Sequence, residues 1–199
     1  MQQELTGMLR EIDLFFSGES KVQRTLEPIA TRLRELDIDF ALAGALAVGV
    51  RGHLRVTVDV DLLITAEGLS RFKTHWLGRG YVEQVPGSRG VRDRETGVPI
   101  DFLIAGEFPG DGRPKSVCFP DPASVPQTEG SYRILDLRTL IELKLAAGLS
   151  ASDRLQDLAD VLALVRANRL PESFAEVLDP FGREKYRELW RAAQNPVDR

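Results

Sequence analysis

Cysteine occurs once in the 199 residues, at Cys118, which excludes an intrachain disulfide, a cysteine-based zinc site and any sign of an oxidising compartment. Histidine is nearly as scarce. His53 and His75 stand alone without metal-ligand spacing, so both read as packing or surface residues. No apolar run is long enough for a bilayer: the longest, from Phe40 to Val50, falls well short of the ~20 residues a spanning helix needs. Met1-Gln2-Gln3-Glu4 lacks the basic start and apolar core of a secretion signal, and a cytoplasmic protein with no membrane partner is expected. Strong charge of one sign is missing too. The formal net charge is −4, which argues against a chain coated in positive charge for nucleic acid.

What is present is enough apolar residue, 43%, to bury a core, and a length suited to about one domain with a helical appendage. Residues 51–94 are locally basic and offer either a modest surface for a polyanion or ordinary solvated charge. Hydrophobic periodicity predicts an amphipathic helix from Leu5 to Phe16. A second follows on Leu26, Ile29, Leu33 and Leu36, capped by Thr25 with Pro28 in its first turn. A buried strand, Phe40 to Ala43, feeds a small-residue helix at Gly44. The β-branched, period-two run from Arg55 to Ile64 reads as one strand, with Val58, Val60 and Leu62 in the core. A helix over Glu67 to Trp76, strands at Tyr81–Val85, Val91–Glu95 and Val98–Ala105, and a short strand at Val117-Cys118-Phe119 follow. Asp136 caps a helix from Leu137 to Leu149. Another runs from Asp153 to Ala167 with Leu155, Leu158, Leu162 and Val165 inward, and short helices near Glu172–Leu178 and Arg183–Ala193 close the chain. The expected organisation is an N-terminal helix (1–19), a mixed α/β core (20–135) and a C-terminal helical region (136–199).

Asp59 and Asp61, two apart on a strand, point to one face with backbones roughly 6.6 Å apart at ~3.3 Å per residue. Asp101, between Ile100 and Phe102, lies in an equivalent setting on a second apolar strand. An Asp-x-Asp pair commonly marks a solvated strand edge, but edge acids keep polar neighbours and these have apolar ones. Three carboxylates on neighbouring strands repel one another unless something positive lies between them. Oxygen-only ligands suit Mg²⁺, and two such ions suit phosphoryl or nucleotidyl transfer. Gly44, where a strand feeds a helix, offers backbone N–H groups and room for a phosphate. Tight packing is the simpler account of that glycine taken singly.

Together these residues resemble the nucleotidyltransferase superfamily related to DNA polymerase β. Ala43-Gly44-Ala45, thirteen residues, and Asp59-Val60-Asp61-Leu62 match its glycine-to-acid spacing, and Ile100-Asp101-Phe102 supplies the third acid. More narrowly, Arg55-Val56-Thr57-Val58-Asp59-Val60-Asp61 is similar to the minimal, abortive-infection (AbiEii-like) toxin and lincosamide-resistance nucleotidyltransferases. So is Leu143-Lys144-Leu145-Ala146-Ala147 followed by Arg154-Leu155-Gln156-Asp157-Leu158-Ala159-Asp160. The resemblance implies a mixed-sheet core with flanking helices and a Mg²⁺-dependent transfer of NMP from an NTP to a hydroxyl. The acceptor would be a tRNA 3′ end, a protein or a small hydroxylated molecule. A cognate antitoxin and a homodimer are among the implied partners.

By that resemblance Asp59, Asp61 and Asp101 bind two metal ions, and Asp101 acts on the acceptor hydroxyl. Gly44, Ala45, Arg55, Thr57 and Lys144 hold the nucleotide, Lys144 shares in catalysis, and Asp157 orients Lys144 or the nucleotide. Lys144 and Asp157 read equally well as an ion pair between adjacent helices. The family pattern has Gly or Ser where this chain has Ala45, which keeps the N–H and lacks a hydroxyl. A catalytically silent nucleotide-binding relative, acting in regulation or protein interaction, is the competing expectation.

Overall fold

A computed structural model describes residue 10, residues 12–126 and residues 132–195. The first expected helix falls partly outside them, and residues 12–17 are helical. The elements run α1 (Lys21–Glu35), β1 (Phe40–Leu42), α2 (Gly44–Val50), β2 (Val60–Ile64), α3 (Ala66–Trp76), β3 (Tyr81–Glu83), β4 (Val91–Asp93), β5 (Pro99–Ile104), a 3₁₀ turn (Pro122–Ser124), β6 (Arg133–Ile134), α4 (Leu137–Ser150), α5 (Leu155–Ala167), a second 3₁₀ segment (Glu172–Val177) and α6 (Arg183–Gln194). No helix among the described residues is long and apolar enough to cross a membrane.

The six strands form one mixed sheet in the order β3-β4-β5-β2-β1-β6. β2 and β5 pair in parallel at its centre, while β1 runs antiparallel to β2 and β4 antiparallel to β5. Burial alternates along β5, with Ile100, Phe102 and Ile104 in the core and Asp101 and Leu103 on the opposite face. The fold is therefore the expected mixed α/β class. α4 packs on α5, and α5 on α6, through Leu145, Val161, Leu164 and Tyr186, all fully buried.

Several local expectations need correction. α1 begins four residues before Thr25, because Ser20 and Gln23 form a capping box: Ser20 Oγ accepts from the Gln23 N–H, and Gln23 Oε1 accepts from the Ser20 N–H. Pro28 is thus inside the helix and Thr25 inside its first turns. The strand expected from Arg55 begins only at Val60. Pairing of β2 with β5 ends at Val60↔Ile100, and the next residue on β5 is Pro99, which has no N–H to offer. Residues 51–59 form no strand, with a turn at 51–52 and a bend at 58–59, and their odd-numbered, polar side chains are half-buried while the even-numbered ones are exposed. Val58 is 74% exposed, not in the core. No strand forms at Val117–Phe119; Phe119 makes two backbone bonds instead, its carbonyl accepting from the Gly106 N–H and its N–H donating to the Glu107 carbonyl. Leu155, at the start of α5, is 70% exposed, and Asp160 takes a place on the inward face with Val161, Leu164 and Val165.

Candidate functional site

Parallel pairing sets Asp61 directly beside Asp101 on the central strands. Asp59, in the bend before β2, turns its carboxylate toward the same point. One carboxylate oxygen from each of the three lies within 4.8 Å of the other two. The Thr57 hydroxyl donates to Asp59 Oδ1 at 2.5 Å, tying the incoming chain to the trio. Burial pushes the Asp61 carboxyl up to about 7, and the charges of Asp59 and Asp101 add to the shift. Lys144 and Arg154 pull against it without prevailing.

Gly44 is explained by Asp61. Its φ is +53°, a left-handed conformation, and a Cβ there would lie 1.6 Å from Asp61 Oδ2. The glycine lets the first turn of α2 close over an acid side chain, and Ala43 N–H secures the same junction by donating to the Asp61 carbonyl at 3.1 Å. α2 has only seven residues and no side chain caps it. Ala45, buried, lines the cleft beside Gly44.

A second charged group borders the cleft and is built differently. Asp160 on α5 is fully buried. Arg55 donates from Nε to Oδ1 at 2.9 Å and from a terminal nitrogen to Oδ2 at 3.1 Å, and Lys144 Nζ lies 2.7 Å from the same Oδ2. Lys144 also donates to Asp157 at 2.8 Å, and Gln156 donates to Asp160 at 2.9 Å. Burial alone would raise the Asp160 carboxyl, but the Arg55 hydrogen bond and the Lys144 charge hold it below its ordinary value. Arg55, Thr57, Lys144 and Asp157 all reach the cleft wall, as do Gly44 and Ala45. Arg55 and Lys144 are nonetheless engaged with carboxylates.

Residues outside the expected set complete the picture. Asp160 anchors both cations, and its only signal in the sequence is the Asp-x-x-Asp spacing on a helix. Gln84 donates to Asp101, and Gly90 leaves room for that contact. Arg89 and Arg154 line the cleft; Arg89 pairs with Glu107, and Arg154 lies 3.9 Å from Asp157. His53 and His75 take no part in the acidic cluster, and Cys118 is free and exposed.

The cleft holds about 670 Å³, a size suited to a small molecule. Its wall combines the three carboxylates with apolar side chains that include Phe119, Leu140 and Leu143. The trio fits a divalent cation: its donors are all hard oxygens, and a positive charge between them would offset both the burial that lifts Asp61 and the repulsion that adds to it.

No protein-family model matches the chain, and no curated protein matches it. Among solved structures it is similar to a putative nucleotidyltransferase from Thermotoga maritima. The two are 17% identical over 70% of this chain and 91% of that one, with a TM-score of 0.47.

Proposed function

We propose that the chain is a Mg²⁺-dependent nucleotidyltransferase that moves a nucleoside monophosphate from an NTP to a hydroxyl acceptor. The observation that carries this reading is the convergence of Asp59, Asp61 and Asp101 within 4.8 Å, against a glycine that only a Cβ-less residue can fill. Mg²⁺ bound by the three carboxylates would supply charge stabilisation at the phosphates and at the attacking oxygen. In the transfer, the acceptor oxygen bonds to the α-phosphorus, the bond to pyrophosphate breaks, and the hydroxyl proton passes to Asp101. Arg154 and Arg89, which line the cleft, would meet the charge that moves onto pyrophosphate. Arg55 and Lys144 act by holding the wall of the cleft through Asp160, and Lys144 adds a positive field felt by Asp61.

A tRNA 3′ end, a protein side chain or a small hydroxylated molecule remains the proposed acceptor class, and a toxin role with a cognate antitoxin is the proposed setting in a cytoplasm. A second reading is favoured by one observation. The two cations that the resemblance assigns to phosphate are already paired with carboxylates, as suits a relative that binds nucleotide without transferring it.

One experiment separates them. The protein is incubated with Mg²⁺, each α-labelled NTP in turn, and total tRNA, cell protein or hydroxylated antibiotics as acceptors. Label transferred by the natural chain and lost in Asp59→Ala establishes the enzyme. Nucleotide binding with no transfer to any acceptor establishes the silent relative.

A further inference from the structure

Beside the acidic trio, a neutral side chain grips one of the three acids. Gln84 follows β3 directly, and its backbone N–H donates to the Gly90 carbonyl at 3.2 Å, closing the loop between β3 and β4. Its carboxamide nitrogen reaches Asp101 Oδ1 at 2.8 Å and faces the carbonyls of Val91 and Ile100 at 3.3 and 3.4 Å. All three neighbours are acceptors, so the amide can present only its NH₂ there. Gly90 supplies the space. A Cβ on it would lie 2.5 Å from Gln84 Nε2 and 2.7 Å from Asp101 Oδ1.

The loop that carries Gln84 is itself held. Lys73 Nζ donates to Glu83 at 2.8 Å and to the Ser88 carbonyl, Gly87 N–H donates to Glu83 at 2.8 Å, and Ser88 Oγ bridges Val85 N and the Gly90 carbonyl at 3.2 Å each. We propose that Gln84 is a positioning residue for the metal site: it fixes the Asp101 carboxylate so that the trio presents one preset arrangement of oxygens to a divalent cation. The proposal rests on the nucleotidyl-transfer reading only in taking the trio as the cation site.

The physical consequence distinguishes positioning from simple adhesion between a loop and a strand. Mg²⁺ demands near-octahedral geometry at short distances, whereas Ca²⁺ accepts irregular and more numerous oxygens. A carboxylate released from its anchor harms the strict ion more than the lenient one. Outer partners of metal ligands are typically worth roughly 10–100-fold in affinity.

The test is calorimetric titration of the full chain with Mg²⁺ and with Ca²⁺, alongside a thermal melt, for the natural protein, Gln84→Leu and Gln84→Ala. The second variant removes the amide without placing a bulky apolar group beside Asp101, and it decides the matter should Gln84→Leu fail to fold. The expected result is a loss of Mg²⁺ affinity of roughly 10–100-fold with a clearly smaller loss for Ca²⁺. Equal affinities in variant and natural chain, or equal losses for both ions, overturn the positioning role while natural-chain Mg²⁺ binding keeps the trio as a cation site. A natural chain that binds neither ion overturns both readings together.

Discussion

Two clusters of charged side chains border the same cleft, and they are balanced in opposite ways. Around Asp160, two cations meet two carboxylates, each within 2.7–3.1 Å of a partner, and the buried acid is held ionised. Around Asp61, three acids crowd together with a hydroxyl and an amide as donors, and the buried acid is pushed toward neutrality. The first cluster ties α4, α5 and the chain at Arg55 into one unit. The second stores repulsion that the fold alone does not relieve, and that imbalance is what makes it a site for something positive.

Breaking each cluster should give opposite signs. Asp61→Asn removes a carboxylate from the trio, and transfer activity is expected to fall by about a thousandfold, the scale of several kcal/mol of lost charge stabilisation. The same variant, free of metal at pH 8, should melt above the natural chain, because a repelling charge has gone. A lower melting temperature would show that Asp61 serves the fold. Asp160→Ala is the mirror image. It leaves Arg55 and Lys144 facing a void, and a loss of about 3–5 kcal/mol is expected in urea unfolding. A loss under about 1 kcal/mol, the range of a surface pair, would put the cluster in solvent and end the contrast.

Acid and base also separate the two. Asp61 in the metal-free fold keeps its proton up to about pH 7, against an ordinary value of 3.8. Between those limits the folded protein binds more protons than the unfolded chain, so this group's contribution to stability falls as pH rises from about 4 to 7, by at most about 1.4 kcal/mol per pH unit. Asp160 has the reverse shift. Its contribution is present above the ordinary carboxylate value and is lost as pH falls below it. Mg²⁺ binding must expel the Asp61 proton at pH 5.5 but not at pH 8. The rise in melting temperature on adding Mg²⁺ is therefore expected to be larger at pH 8. An equal rise at both values would place the ion elsewhere.

The unbalanced cluster was legible in the sequence because its signal is local. Acids two apart in an apolar run, with a third flanked by Ile100 and Phe102, already require one face and one problem of charge. The balanced cluster was legible only in half. Lys144 and Asp157 were readable as an ion pair between helices, but Asp160, though it closes the Arg154–Asp160 run, had no role until Val161 and Leu164 were seen to face the core beside it. Gln84 carried no signal at all, since its meaning depends on a loop that brings it to a strand residue 17 positions away. The segment before β2 misled for a related reason. Val56 and Val58 have strand composition, yet strands require a neighbour, and the sheet has none to offer beyond Pro99.

Thr57 gives the smallest and most discriminating test. It belongs to the stretch before β2 whose polar side chains are half-buried, and its hydroxyl donates to Asp59. Thr57→Val keeps the β-branched shape that suits extended backbone, so the chain's path should hold and the melting temperature should stay within about a degree or two. Deleting the donor frees Asp59 to rotate, and a loss of about tenfold is expected, the low end of the roughly 10–100-fold that a partner of a metal ligand is worth. Titration with Mg²⁺ therefore should show weaker binding on an unchanged fold. Were Thr57 part of a balanced cluster, the order would invert, with stability falling and cation affinity standing still. The sign of that one comparison assigns the residue to the trio or to the scaffold around it.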